Sequence, residues 1–501
     1  MKKLPIFYNA LLLTGVNLLL RLVSTSFQVF LSGRIGAAGI GLLQLVLSVA
    51  SMTMTAGMAG IRTATMYLTA EELGKGRPQN ITWVLSACFC YSLLFSGSIG
   101  GLVYGFAPWI AQYWIGDIHT MGTIRLFSTF LPVSCFVGVM VGYFTAANRI
   151  STLAAVEVVE QFFTMTVTTI ALLCWAGEDK GRACQSVVLG SCAGSLLTLT
   201  CLLLLRLWER PKTGPRISVT RRLAQTALPL AVADDLKVGI NTVENLMVPK
   251  RLSLFTGDAL AQFGMVSGMV FPVLMFPAAI LYGLADLLIP ELARCNAAGS
   301  GIRIRYLVRR SLRVALLYGI GCGGIMYMLS DVLCLWLYSS PLAGEHLRVY
   351  ALLAPMLYSD AIIDAMNKGL GQQTTCVRFN IFTAVLDVVG LYILLPRWGM
   401  WGYFVSFFIS HAINAALSLY LLLRATGLQI PLRLPLLTLL CMAVAIVLAQ
   451  TLADPALRTA AFVLLVYSLL WLLGIIYRED LQWLRSLICL QKKSDNLKNS
   501  I

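Results

Sequence analysis

The sequence predicts an all-α polytopic membrane protein of about fourteen transmembrane helices: two pseudo-symmetric six-helix lobes around a central cavity, plus a C-terminal helix pair. Three observations carry that prediction. First, AVILMFWYC make up 58% of the 501 residues and DEKR only 12%, whereas a soluble domain has about 45–50% apolar and about 25% charged residues. The chain lacks the polar residues to cover a water-facing surface. Second, the apolar residues fall into stretches near the roughly 20 residues that a spanning helix needs. Third, the basic residues alternate between the two sides that those stretches define.

The predicted spans are 8-32, 40-68, 82-107, 122-147, 150-176, 184-206, 223-249, 259-289, 305-329, 345-367, 373-395, 399-423, 434-452 and 457-477. Arg309, Arg310 and Arg313 interrupt the ninth, and Asp360 and Asp364 the tenth. With both termini cytoplasmic, 26 of the 38 Lys/Arg lie on the cytoplasmic side, eight on the other side and four within spans. Cytoplasmic loops carry the excess of Lys and Arg, and one miscounted helix would invert every later loop and erase the bias. The net charge of +15 is therefore a topology signal rather than a nucleic-acid surface. The opening MKK and apolar run resemble a signal peptide, but Asn17 and Arg21 interrupt the run and no A-x-A site follows, so no cleavage is expected.

The longest basic loop, within 209-223, separates two similar halves. GRIGAAGIGLLQLVLSV at 33-49 faces RLSLFTGDALAQFGMVSGMV at 251-270, and FTAANRISTLAAVEVVEQ at 144-161 faces NKGLGQQTTCVRFNIFTAVLD at 367-387, both offset by about 220 positions. Duplicated halves of this kind build transporters with a site at the repeat interface. The expected organisation is an N-terminal lobe at 1-208, a basic cytoplasmic linker at 209-222, a C-terminal lobe at 223-425, an additional helix pair at 426-477 and a cytoplasmic tail at 478-501.

Polar residues inside the apolar helices mark the candidate site. Asn17, Arg21, Ser24 and Gln28 recur by four, three and four positions on helix one, and Asp234, Lys237, Asn241 and Glu244 repeat the pattern on helix seven. Each set shares one helical face. Charges at membrane depth are costly and face a bundle interior or a water-filled cavity, so both stripes are expected to line a shared cavity. The alternative is a fixed ion pair, Arg21 with Glu244 or Lys237 with Asp234. Glu157, Glu160, Gln161 and Thr164 on helix five match Asn380, Thr383 and Asp387 on helix eleven. Glu157, Glu160, Asp360, Asp364 and Asp387 are candidates for ion coupling, with pairing of Asp364 to Lys368 the competing reading. His411 and Asn414 suggest an interhelical hydrogen bond. Gly190/Gly194 and Gly319/Gly323 have GxxxG spacing, a signal of close helix packing.

Several classes are excluded or disfavoured. There is no GxxxxGK[ST] motif and no soluble domain, against an ATP-driven pump. The absence of HExxH and of an exposed Ser/His/Asp set argues that the chain is not an enzyme. The short loops argue against an intramembrane glycosyltransferase. The thirteen cysteines show no metal spacing, so no metal, disulfide framework or cofactor is expected.

From Arg21 to Gly76 the chain reads as an apolar helix with a central Arg, then GAAGIGLLQLVLSV, then TAGMAGIRTATMYLTAEELGKG. This stretch resembles the stage V sporulation protein B group, polysaccharide transporters within the multidrug/oligosaccharidyl-lipid/polysaccharide flippase superfamily. The similarity of helix number, duplicated halves and extra helix pair extends over nearly the whole chain. One departure is that family members often carry a Pro after the helix-two glycine, where Gly60 is followed here by Ile61 and Arg62. The resemblance implies flipping of an undecaprenyl-linked sugar, such as lipid II for spore cortex, across the bacterial cytoplasmic membrane or the forespore or mother-cell membranes. It also implies the lipid bilayer, a coupling cation and the cell-wall synthesis machinery as partners, with no nucleic acid. A pyrophosphate headgroup suits the planar donor fork of Arg. Arg21 is the leading headgroup ligand; Arg62, Lys250 and Arg251 are further candidates, and Asn17, Gln28, Asp234, Lys237, Asn241 and Glu244 supply polar contacts. A proton- or sodium-coupled multidrug exporter of the same superfamily is the alternative, disfavoured by an Arg rather than an Asp on helix one.

Overall fold

The structure, a computed structural model, describes residues 4–177, 179–208, 219–429 and 433–475. Most of the expected linker and the 478-501 tail lie outside the described residues. Among those described, every regular element is a helix. Among the described residues nine helices are long and apolar enough to cross a membrane, or eleven when two bent helix pairs each count as one span. Pro435–Ala449 is apolar but shorter. The protein is a multi-pass membrane protein.

The first helix, α1 (Leu4–Met58), has 55 residues, about 80 Å at 1.5 Å per residue and far more than the roughly 30 Å hydrocarbon core. It is broken at Gly36, where φ is 68° and ψ 173°, a combination essentially confined to glycine. The connection between the predicted spans 8-32 and 40-68 therefore shrinks to one residue, with helix on both sides. Left-handed Ala59 and Gly60 then separate α1 from α2 (Ile61–Gly74). A side chain at Gly60 would strike the Ala227 carbonyl, so a glycine is required there by both backbone angle and close packing.

The first half continues through α3 (Ile81–Trp109), α4 (Met121–Ala146), α5 (Ile150–Ala171) and α6 (Lys180–Trp208). π-Helical turns at Ile110–Ile115 and Leu172–Ala176 extend α3 and α5. Gly190 and Gly194 of α6 abut Thr168 and Thr164 of α5, the close packing that the spacing predicts.

The second half begins with α7 (Thr220–Leu252). The predicted eighth span is not one helix: α8 (Ala259–Met265), a π turn at Val266–Val270 and α9 (Phe271–Met275) lead into α10 (Ala278–Ala297). Pro272 and Pro277 lie along this stretch, where an imide without an N–H interrupts helical hydrogen bonding. Next come α11 (Gly301–Tyr338), then α12 (Pro341–Ala351) and α13 (Ala354–Gly369), which are bent by 55° at a break before Pro355. The remaining elements are α14 (Gln373–Trp398), α15 (Met400–Thr426), α16 (Arg433–Ala449) and α17 (Pro455–Leu472).

The chain forms two compact units, one of Met1–Gly283 with Val377–Asn414 and one of Leu284–Cys376 with Ala415–Ile501. In the first, Ile61, Leu68, Val84, Tyr143 and Phe144 bury against Leu223 and Ala227 of α7. In the second, the C-terminal pair packs on α11 through Ile320, Met442, Phe462 and Val466. Gly324 leaves room for the Phe462 ring, and the Tyr467 hydroxyl donates to the Leu317 carbonyl at 3.3 Å.

Candidate functional site: polar residues on the first helices of the two halves

In the first unit, α7 runs antiparallel to the later part of α1. Thr242 donates to the Ser48 carbonyl at 3.1 Å and Asn245 to the Ser48 hydroxyl at 3.0 Å, while Gly60 meets α7 near Ala227 and Ala231. The packed face of α7 is therefore Leu223, Ala227, Ala231 and Thr242. Asp234, Lys237 and Asn241 lie off that face and are exposed. That exposure is the arrangement which a polar stripe needs in order to meet water or ligand.

Arg21 is half-buried, with its guanidinium carbon 5.5 Å from the ring centroid of Tyr282 on α10, within cation–π range. Among the described residues, neither Arg21 with Glu244 nor Lys237 with Asp234 forms an ion pair. The described part of the helix-one stripe has a structural role at Gln28, which donates to the Gly268 carbonyl in the π turn after α8 at 3.2 Å. Ser24 is exposed, and the side chain of Asn17 lies outside the described residues.

Glu244 is half-buried beside Asp387 of α14, and Tyr403 of α15 lies within electrostatic reach of both. Asp387 is itself buried and accepts a 2.6 Å hydrogen bond from Ser406. Gly390, one turn along α14, lies against Ser406 with no room for a side chain. Two carboxylates and a hydroxyl on three helices thus lie within electrostatic reach of one another. All are hard oxygen donors, the type that Na⁺-like cations and protons select.

Arg62 is exposed, and its charge reaches Glu157, which also neighbours Glu160. Glu160 accepts from Thr198 at 2.6 Å. In the second unit, Asp364 pairs with Lys368 at 2.7 Å. Asp360 is half-buried. Lys250 donates to the Tyr113 carbonyl, and Arg251 stacks on Tyr392 with its guanidinium carbon 3.3 Å from the ring centroid. Both basic residues are thereby held by the protein itself. Asn414 of α15 accepts from Thr383 of α14 at 3.4 Å, an interhelical hydrogen bond.

One constellation was not singled out by residue pattern. Arg222, in the first turn of α7, bonds to Glu71 and reaches Glu72 at 3.4 Å; Glu72 is 3% exposed and accepts from Asn80 at 2.9 Å. Lys75 adds a 2.5 Å bond to Glu71. The signal was the acidic pair within AEELGKG, but its partner lies 151 positions away, beyond any spacing rule.

The helix order and the broken first helix give a polytopic all-helical fold that is similar to those of solved MOP-superfamily transporters. An inward-facing multidrug resistance MATE family transporter of that superfamily superposes with a TM-score of 0.69 at 12% identity, over 83% of this chain and 98% of its own. The lipid II flippase MurJ in an inward closed conformation superposes at 0.67 and 13% identity, over 92% of this chain and 98% of its own. The MatE family profile matches residues 14–172. More particularly, the chain is similar to stage V sporulation protein B of Bacillus subtilis (strain 168), 21% identical over 423 residues, or 79% of each chain. The resemblance carried by Arg21–Gly76 therefore extends well beyond that stretch.

Proposed function

We propose that this protein is a flippase that moves an undecaprenyl-linked sugar, with lipid II as the first substrate to test, from the inner to the outer leaflet of the bacterial cytoplasmic membrane by alternating access. Both termini are cytoplasmic in this reading, and the two lobes are 1-208 and 223-425. The observation that carries it is Arg21, a guanidinium on the first helix with no carboxylate partner among the described residues. A cation at membrane depth without a counter-ion is costly, and a pyrophosphate would supply the missing charge. Homology to stage V sporulation protein B and a fold shared with a lipid II flippase support the same cargo. Glu244 and Asp387 would hold the coupling cation or proton, because two carboxylates within electrostatic reach repel each other unless a positive charge lies with them.

Native mass spectrometry of the purified protein identifies the co-purifying lipid. Complementation of the envelope or spore defect then tests the residue. Arg21→Lys keeps part of the activity, because charge remains while the bidentate fork is lost, and Arg21→Ala loses most of it at unchanged membrane abundance. Full activity in Arg21→Ala refutes the assignment.

The Glu244–Asp387 pair also favours a second reading, a cation-coupled exporter of the kind represented by the MATE neighbour. Cation-driven drug efflux that survives Arg21→Ala and disappears in Asp387→Asn would select it.

A further inference from the structure

The N-terminal third of α11 carries a basic face that the proposed transport cycle does not use. The helix has 38 residues, about 57 Å at 1.5 Å per residue, well beyond the roughly 30 Å that a span requires. Its charges are concentrated at one end: Arg303, Arg305, Arg309, Arg310 and Arg313 precede an uncharged run that lasts to Ser330. Ile302, Arg305, Tyr306 and Arg309 follow the i, i+3, i+4, i+7 spacing of a single helical face, and Ile302 is 79% and Tyr306 52% exposed. The opposite face buries Ile304, Val308 and Ser311.

The arginines on this face differ from their neighbour. Arg303 is bound to Glu291 at 2.6 Å, whereas Arg305 and Arg309 have no ion pair among the described residues. Arg310 donates to the Tyr306 hydroxyl at 2.6 Å and steadies that ring. Depth follows from the helical rise. With Arg313 at the edge of the uncharged run, Arg309 stands about 6 Å and Arg305 about 12 Å outside it, and a headgroup layer is about 5–8 Å thick on each side. Arg309 thus falls among lipid phosphates, and Arg305 reaches them by bending its stem toward the membrane. Topology alone would require basic residues here, but it would not require an isoleucine and a tyrosine exposed between them.

We propose that this face binds a phospholipid with an anionic headgroup, such as phosphatidylglycerol, the phosphate held by Arg305 and Arg309 and the acyl chains lying over Ile302 and Tyr306. The leaflet is the cytoplasmic one if the orientation proposed above holds; the binding itself depends on neither that orientation nor the cargo.

The test places a photo-crosslinking benzoylphenylalanine at Ile302 of the full chain in nanodiscs of equal phosphatidylglycerol and phosphatidylcholine, with the crosslinked lipid identified by mass. Each basic residue near an anionic surface contributes about a fivefold preference, so with two arginines phosphatidylglycerol is expected in about 25-fold excess. The excess falls toward parity in Arg305→Gln/Arg309→Gln and persists in Arg303→Gln. Parity in the parent protein, or an undiminished excess in the double variant, overturns the proposal. Crosslinking to a protein segment in place of lipid also overturns it.

Discussion

Two of the contacts that α1 and α2 make with the second half of the chain are built on different physics. Beyond the Gly36 break, α1 packs on α8 through backbone. A side chain at Gly264 would collide with the Ala37 carbonyl and the Gly41 backbone, one at Gly41 with the Leu260 carbonyl, and one at Gly268 with Ile40. At the start of α7 the contact is ionic, with Arg222 between Glu71 and Glu72 and Asn80 behind. Contacts made by absent side chains depend on shape alone and are insensitive to salt. Contacts made by charges have a polar alternative in water, so they can open and close at small net cost. The proposed alternating-access cycle would gain from one contact of each kind. We expect the ionic contact to be the one that yields first.

Three perturbations sharpen or break that contrast, beginning with the largest expected effect. Gly264→Val places branched carbons against backbone that cannot rotate away, and overpacking of this kind costs about 1–3 kcal/mol or more. Thermal unfolding in detergent should show the loss at low and high salt alike, and a cysteine at Ile40 should become reactive to a water-soluble thiol reagent. An unchanged melting temperature would mean that the helices separate freely there. Glu72→Ala leaves the Asn80 amide without its acceptor in a buried site, a change worth about 1–3 kcal/mol. It should lower the melting temperature less than Gly264→Val does. Restoration by Asn80→Leu would confirm that the unsatisfied amide is the cause. The smallest effect is expected from Glu71→Gln. Its partners Arg222 and Lys75 are 41% and 47% exposed, and pairs of that kind contribute about 0–1 kcal/mol. The difference from the parent protein should vanish in about 1 M salt, where the screening length is about 3 Å. A salt-independent loss would show that Glu71 acts through packing.

Much of the fold was legible because a bilayer imposes a simple rule on sequence. Apolar stretches, basic loops and the glycine pairs at 190/194 and 319/323 report helices and helix contacts through local composition and spacing. Breaks within helices were less legible. Gly36 is one of several glycines in GRIGAAGIG, and nothing local distinguishes the one that leaves the helix. The site was legible in part: the polar faces of α1 and α7 were visible as i, i+3, i+4 patterns, but their partners were not. Arg21 and Glu244 were natural candidates for one ion pair, yet the first lies by Tyr282 and the second by Asp387.

The sequence by itself determined that the chain is helical, that it lies in a membrane, and which residues interrupt its apolar faces, because burying a backbone in hydrocarbon requires internally bonded helices and a polar side chain there requires a reason. Only the tertiary structure decided which of those residues meet. Glu244 neighbours Asp387, Arg222 binds Glu71, and Lys250 is held by the Tyr113 carbonyl because helices far apart in the chain pack side by side. Helical periodicity fixes the face on which a residue lies; the neighbour across that face is set by how the helices cross, which depends on all the packed side chains together and on no single local pattern.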